Sequence, residues 1–204
     1  MLAQLLPFLT ATILLTLTPG PDIIYVLVQG MANGKKHAIV TALGLVSGVV
    51  VHTTLVAFGV SAVIKQSETI FVIIKCLGAA YLFYLAYNVF KSDPDIAFSA
   101  EGIKQKSLFG LYRQGFIMNV LNPKVTIFFL ALFPGFLWDP EGNTVLQFYI
   151  LGLIFMFQAL LIFSLVAILA GNISKYLQKH RKSGVVLKWI QIFAFIGIGV
   201  FILI

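Results

Sequence analysis

Two charged residues stand where charge is costly. Asp22 ends the run Thr18-Pro19-Gly20-Pro21-Asp22 and Lys124 ends Asn122-Pro123-Lys124, each inside a long apolar block. They are separated by half the length of the 204-residue chain. In hydrocarbon a charged side chain costs about 2.5–3.5 kcal/mol on insertion scales, so such groups face the protein interior, take partners and mark solute or proton paths. An acid and a base brought together can hold a solute that carries both charges. They can equally lock two segments through a fixed ion pair. Asp22 is also a candidate proton carrier, and Lys124 a candidate partner for a carboxylate.

The residues around these charges bear on the same chemistry. Pro19, Pro21 and Pro123 each delete a backbone donor and clash with the preceding turn, and Gly20 adds backbone freedom. Carbonyls freed by such breaks need partners in protein or in a water-filled cavity, because lipid offers none. A plain kink is the simple reading of either break; opposite charges at matched breaks favour a site. The helix that begins after Pro21 presents free amides and partial positive charge, which suits a carboxylate. The carbonyls just before it suit an ammonium group. Asn122 can donate to a solute or to a freed carbonyl, and Asn119 lies about one turn earlier on the same face. In the second apolar block Gly44, Ser47 and Gly48 form a small-residue stripe suited to close helix approach. His52 continues the stripe, either as a proton relay or as a buried imidazole bonded to a carbonyl. Gln158, in LIFMFQALL, suits hydrogen bonding between helices.

The elements that position these groups follow from composition. The chain is 60% hydrophobic and 10% charged, with mean hydropathy +1.01, whereas soluble domains run about a quarter charged. A span needs about 20 helical residues, and six segments qualify, at about 5–28, 38–64, 70–90, 115–137, 145–170 and 184–204. This predicts an all-α polytopic membrane protein. Most of the 14 basic residues fall in the first, third and fifth connections, Lys35 and Lys36 in the first. By the positive-inside rule those connections face the cytoplasm and both termini face outside. The polar stretch at about 91–107 reads as a linker between halves at about 1–90 and 108–204. With three spans per half, the second repeat is inverted relative to the first, and the broken first and fourth helices meet near the bilayer centre.

Other classes find little support. Basic residues lie in short connections rather than a groove-lining patch, so no nucleic-acid partner is expected. The lone Cys76 permits no intrachain disulfide and has no ligand neighbours, so no metal site or cofactor is expected. No basic residue precedes the first apolar stretch, so a cleaved signal peptide is not expected. HExxH, GxSxG and phosphate-loop motifs are absent from the sequence, which disfavours an enzyme. The span faces are too uniformly apolar to mark a dimer surface, though a homo-oligomer is compatible with them. A metal-ion or other cation exporter and a non-transporting membrane subunit are the alternatives to a small-solute transporter.

The stretches LTPGPDIIYVLVQG, GLVSGVVVH, KCLGAAYLFYLAY and GFIMNVLNPKVTIFFLALFPGF resemble the LysE/RhtB family of amino-acid exporters, and the likeness spans essentially the whole chain. The resemblance implies efflux of amino acids such as lysine, arginine, homoserine, threonine, leucine or cysteine from a bacterial cytoplasm, driven by the proton gradient across the inner membrane. It points to Pro19, Gly20, Pro21, Asp22, Asn122, Pro123 and Lys124 as site positions. Where the family often carries LPQF, this chain has Phe133-Pro134-Gly135-Phe136.

Overall fold

The computed structural model describes residues 2–60, 68–92, 106–139, 141–179 and 182–203. These form helices α1 (Leu2–Leu17), α2 (Pro21–Asn33), α3 (Lys35–Leu55), α4 (Glu68–Lys91), α5 (Leu108–Val120), α6 (Pro123–Ile127), α7 (Thr144–Lys179) and α8 (Lys182–Leu203). α3 runs on into a π-helical turn at Val56–Val60, and α6 into a π turn at Phe128–Leu132 and a 3-10 turn at Phe133–Phe136. The protein is all-helical among the described residues. The last four residues of the expected second span (61–64) and most of the expected linker (93–105) lie outside them.

Among the described residues four helical segments are long and apolar enough to cross a membrane: Lys35–Gly59, Thr69–Lys91, Thr144–Ser174 and Gly184–Leu203. The expected first and fourth spans are the bent ones. Gln4–Leu17 and Pro21–Asn33 meet at 55°, and Leu108–Val120 and Pro123–Phe136 at 48°. At 1.5 Å per residue, α1 and α2 are roughly 24 and 20 Å long, each short of the roughly 30 Å hydrocarbon core. Counting each bent pair as one span makes six.

Two boundaries depart from the sequence expectation. Lys35 and Lys36 do not sit in a loop but open α3, joined to α2 through Gly34 alone, whose φ of +82° belongs to the left-handed region that favours glycine. Positive charge at a helix start works against the helix dipole, so the two lysines fit an interfacial role better than a capping one. α5 begins at Leu108 rather than near 115, because the Ser107 hydroxyl accepts from the Gly110 amide at 3.1 Å and caps the helix.

Packing crosses between the halves. α3 packs chiefly on α5, α4 on α8, and α7 on α2 and α3. The α3–α5 contact is close because its small residues let backbone meet backbone: a Cβ on Gly44 would lie 2.1 Å from the Tyr112 carbonyl oxygen, and one on Gly115 2.5 Å from that of Thr41. The Tyr112 hydroxyl donates to Ser47 Oγ at 3.0 Å, so that stripe does form the helix–helix seam the sequence suggested. A second region is packed by rings. Phe8 of α1 meets Phe133 and Phe136 at 5.4 and 5.2 Å between centroids, and Phe129 stacks on Phe133 at 4.1 Å. Phe155 of α7 joins through Phe128 and Phe129. All six are buried. The Gly135 departure lies at the edge of this cluster, where an added Cβ would meet nothing within 4 Å.

The seam predicts a graded response. Gly44→Ala must push the α5 backbone away and should lower the unfolding free energy by about 1–3 kcal/mol. Gly171→Ala, where a Cβ meets nothing within 4 Å, should be neutral or slightly stabilising through helix propensity. Denaturant unfolding in micelles measures both, and equal stability would contradict the close seam.

Candidate functional site

Each break leaves particular backbone groups short of partners. In an unbroken helix the Leu15 carbonyl would accept from residue 19, but Pro19 has no N–H to give. Lys124 supplies the donor instead: its Nζ lies 2.8 Å from the Leu15 carbonyl oxygen and 3.0 Å from that of Thr18. The Pro19 carbonyl accepts from Gln191 Nε2 of α8. Gly20 has φ −158° and ψ 176°, extended backbone that any residue adopts, so the break rests on the prolines and does not use the freedom expected of this glycine. A Cβ there would stand 3.5 Å from Lys124 Nζ.

The second break repeats the problem. Pro123 cannot serve the Asn119 carbonyl, which accepts instead from the Asn122 amide at 2.9 Å and lies 3.0 Å from His52 Nε2. A carbonyl only accepts, so Nε2 carries the proton. Asn122 caps the new helix, its Oδ1 accepting from the Lys124 amide at 3.1 Å.

Asp22 sits in the first turn of α2, where the dipole favours an anion. Both carboxylate oxygens are engaged: Asn119 Nδ2 donates to Oδ2 at 3.0 Å and Asn122 Nδ2 to Oδ1 at 2.9 Å. Asn122 therefore ties the two breaks, with its oxygen on its own helix and its nitrogen on Asp22. Asp22, Asn119, Asn122 and His52 are buried, and Lys124 is partly so.

Asp22 and Lys124 line one cavity, yet neither hydrogen bonds to the other. The fixed ion pair that the sequence left open is not formed. Of the two helix ends the sequence pointed to, the carbonyl end of α1 is already taken by the chain's own ammonium, whereas no side chain caps the start of α2, since the Asp22 carboxylate bonds the two asparagines instead. The cavity measures about 30 Å³, room for roughly two or three waters. Thr16, Thr18 and Gly20 of the first break line it, as do Val46 and Val49 of α3 and Phe155, Ala159 and Phe163 of α7. It adds no further charged side chain to Asp22 and Lys124.

The sequence-derived residues thus gather at one place: Asp22, Asn119, Asn122 and Lys124 by direct hydrogen bonds, Pro19, Pro21 and Pro123 as the breaks. His52 adopts the second of its two expected roles. It bonds the carbonyl of Asn119, lies beside the ring of Phe129 with centroids 5.7 Å apart, and does not line the cavity. Gln158 donates to Thr16 Oγ1 at 3.0 Å, the interhelical bond expected of it. Gln191 was missed, although it is the one side-chain amide in the apolar run after Lys188, the same signal that singled out Gln158. Among the described residues no group of three or more His, Cys, Asp or Glu could hold a metal.

A sequence model of the family described as LysE type translocator matches residues 13–204. The chain belongs to that family. It is 28% identical over 176 residues to a homoserine/homoserine lactone efflux protein of Salmonella typhimurium, covering 86% of this chain and 84% of the relative. An uncharacterized membrane protein of Vibrio cholerae serotype O1 is 30% identical over 174 residues, covering 85% of this chain and 83% of the relative. Another, from Bacillus subtilis, is 28% identical over 205 residues, covering 97% of each chain. No solved structure matches. The helices, the two broken pairs and the cavity that Asp22 and Lys124 share belong, then, to a member of a translocator family of the membrane.

The doubly used amide of Asn122 makes a sharp test of this wiring. Asn122→Leu leaves Asp22 Oδ1 without its donor and the second helix without its cap. The two losses should together cost about 2–4 kcal/mol of stability. Pro123→Ala keeps both and should cost less; the order of the two melting temperatures in detergent checks it.

Proposed function

We propose that the chain is a secondary active exporter that moves amino acids out of the bacterial cytoplasm, coupled to protons, by alternating access around the cavity between the breaks. The observation that supports this most is the separation of two charges in one site. Asp22 and Lys124 share a buried cavity, each held by neutral groups, without bonding to each other. A zwitterion placed between them meets an anion for its ammonium and a cation for its carboxylate, while the apolar walls from α3 and α7 receive its side chain. The relative named for homoserine/homoserine lactone efflux agrees with this. Its two solutes share an amino group and differ at the carboxyl, which puts weight on recognition of the ammonium.

The architecture proposed for the cycle is a pair of inverted three-helix repeats, at about 1–90 and 108–204, joined by the linker at about 91–107. Reciprocal packing supports it: the second span of the first half lies on the fourth, and the fifth lies on the first, as exchange of the halves requires. In this reading six spans cross the inner membrane with both termini outside. The cavity is tight for an amino acid, so loading requires the walls to part, and one half rocks against the other. Asp22 is the group proposed to alternate between proton and solute ammonium. His52, Asn119 and Asn122 position it, and Pro19, Gly20, Pro21 and Pro123 shape the ends it works with.

Asp22→Asn keeps the shape and removes the charge. Hydrogen bonds to a charged group contribute about 1.5–3 kcal/mol, so proton-gradient-driven efflux of homoserine or threonine from proteoliposomes should fall about tenfold or more. Gradient-driven flux unchanged by this substitution would remove Asp22 from the coupling. A panel of amino acids and divalent metals in the same vesicles tests the solute class, metal flux alone favouring the cation-export alternative.

A further inference from the structure

Lys124 occupies the place where a cation from outside would bind best. At the end of α1 carbonyls are left without backbone donors, that of Leu15 because Pro19 has no N–H and that of Thr18 because the helix stops before the ladder reaches it, and the end of a helix carries partial negative charge. Two of these oxygens, from Leu15 and Thr18, converge on one ammonium at 2.8 and 3.0 Å. The far wall is the ring of Phe195 in α8, its centroid 5.7 Å from Nζ, within range of a cation–π contact. Gly20 contributes no side chain to this space. The carbonyls, the ring and the nearby Asp22 together make a receptor for a primary ammonium, and the chain fills it with its own.

We propose that Lys124 is a tethered stand-in for the solute's ammonium: it holds the carbonyl seat at the end of α1 when the site is unloaded and gives it up on loading. The inference rests on the reading that an amino acid passes through this cavity, and specifies which group it must displace. A lysine ammonium has three donors, and two are spent on the carbonyls. Its unbranched stem can turn about single bonds toward an arriving carboxylate, while the solute's ammonium takes the vacated oxygens. Asp22 remains in place throughout, since both its oxygens are held by Asn119 and Asn122. The exchange replaces one ammonium by another, so the broken end of α1 is never left without a donor. It also makes the site selective for primary ammonium groups, because a quaternary nitrogen has no N–H for the carbonyls.

The test removes the stand-in and supplies a free one. In purified Lys124→Ala and Lys124→Met, n-propylammonium should raise the melting temperature saturably and bind about tenfold or more tighter than to wild type, as expected for hydrogen bonds to a charged group. Tetramethylammonium and sodium should not compete. Equal propylammonium binding in wild type and variants, or none in variants that still melt cooperatively, overturns the proposal; so does sodium binding in its stead. A measurement on the wild type keeps the test intact if neither variant folds. Saturating homoserine should speed acetylation of Lys124 by acetic anhydride, read by peptide mass spectrometry, and an unchanged or slower rate overturns the exchange. Wild-type amino-acid flux without amine binding by the variants sinks the stand-in alone, whereas amine binding without any wild-type flux sinks the transport reading.

Discussion

The structure depends on a crossed exchange of hydrogen bonds between two broken helices. The second break lends its lysine to the carbonyls of the first, and its two asparagines to the aspartate of the first. The prolines create the need: each removes a donor inside a membrane-spanning element, where no water replaces it. What would be a defect in an isolated helix becomes the wall of a cavity once the other break lies against it. Gln191 extends the same arrangement to the sixth span, so three separate spans meet at the first break.

The choice of partners has an energetic sense. Burying a charge in hydrocarbon costs about 2.5–3.5 kcal/mol on insertion scales, and hydrogen bonds to charged groups return about 1.5–3 kcal/mol each. Two bonds per ion therefore suffice to retain both charges without joining them. A direct ion pair would be harder to open, since losing one partner of a buried pair costs about 3–5 kcal/mol. Neutral amides and carbonyls hold each ion while leaving its charge available. A site that must release and recapture its contents is better served by that arrangement.

Much of this was legible in the sequence, and the reasons are local. Six apolar blocks give six spans because length and hydropathy are summed over many residues. The breaks at Pro19–Pro21 and Pro123 were visible because proline acts through its own covalent ring. Asn119 and Asn122 were found through their helical spacing to the second break. What could not be read was direction across space. Nothing in the sequence says that Lys124 turns away from Asp22 to the carbonyls of residues more than a hundred positions earlier, or that Gln191 ends on Pro19. His52 was placed on the correct helix face, but its choice between relay and carbonyl partner depended on where Asn119 lay. The boundary at Leu108 was signalled by Ser107, a local cap masked by the polar stretch before it.

The crossed bonding also orders the birth of the molecule. The first span leaves the ribosome with its Leu15 carbonyl lacking a backbone donor, and the lysine that completes it is made more than a hundred residues later. Until then the early half must sit in a membrane with an exposed polar flaw, or wait in a wetter place such as the insertion channel. Either way the first helix reaches its full set of hydrogen bonds only when the second half of the chain has been made.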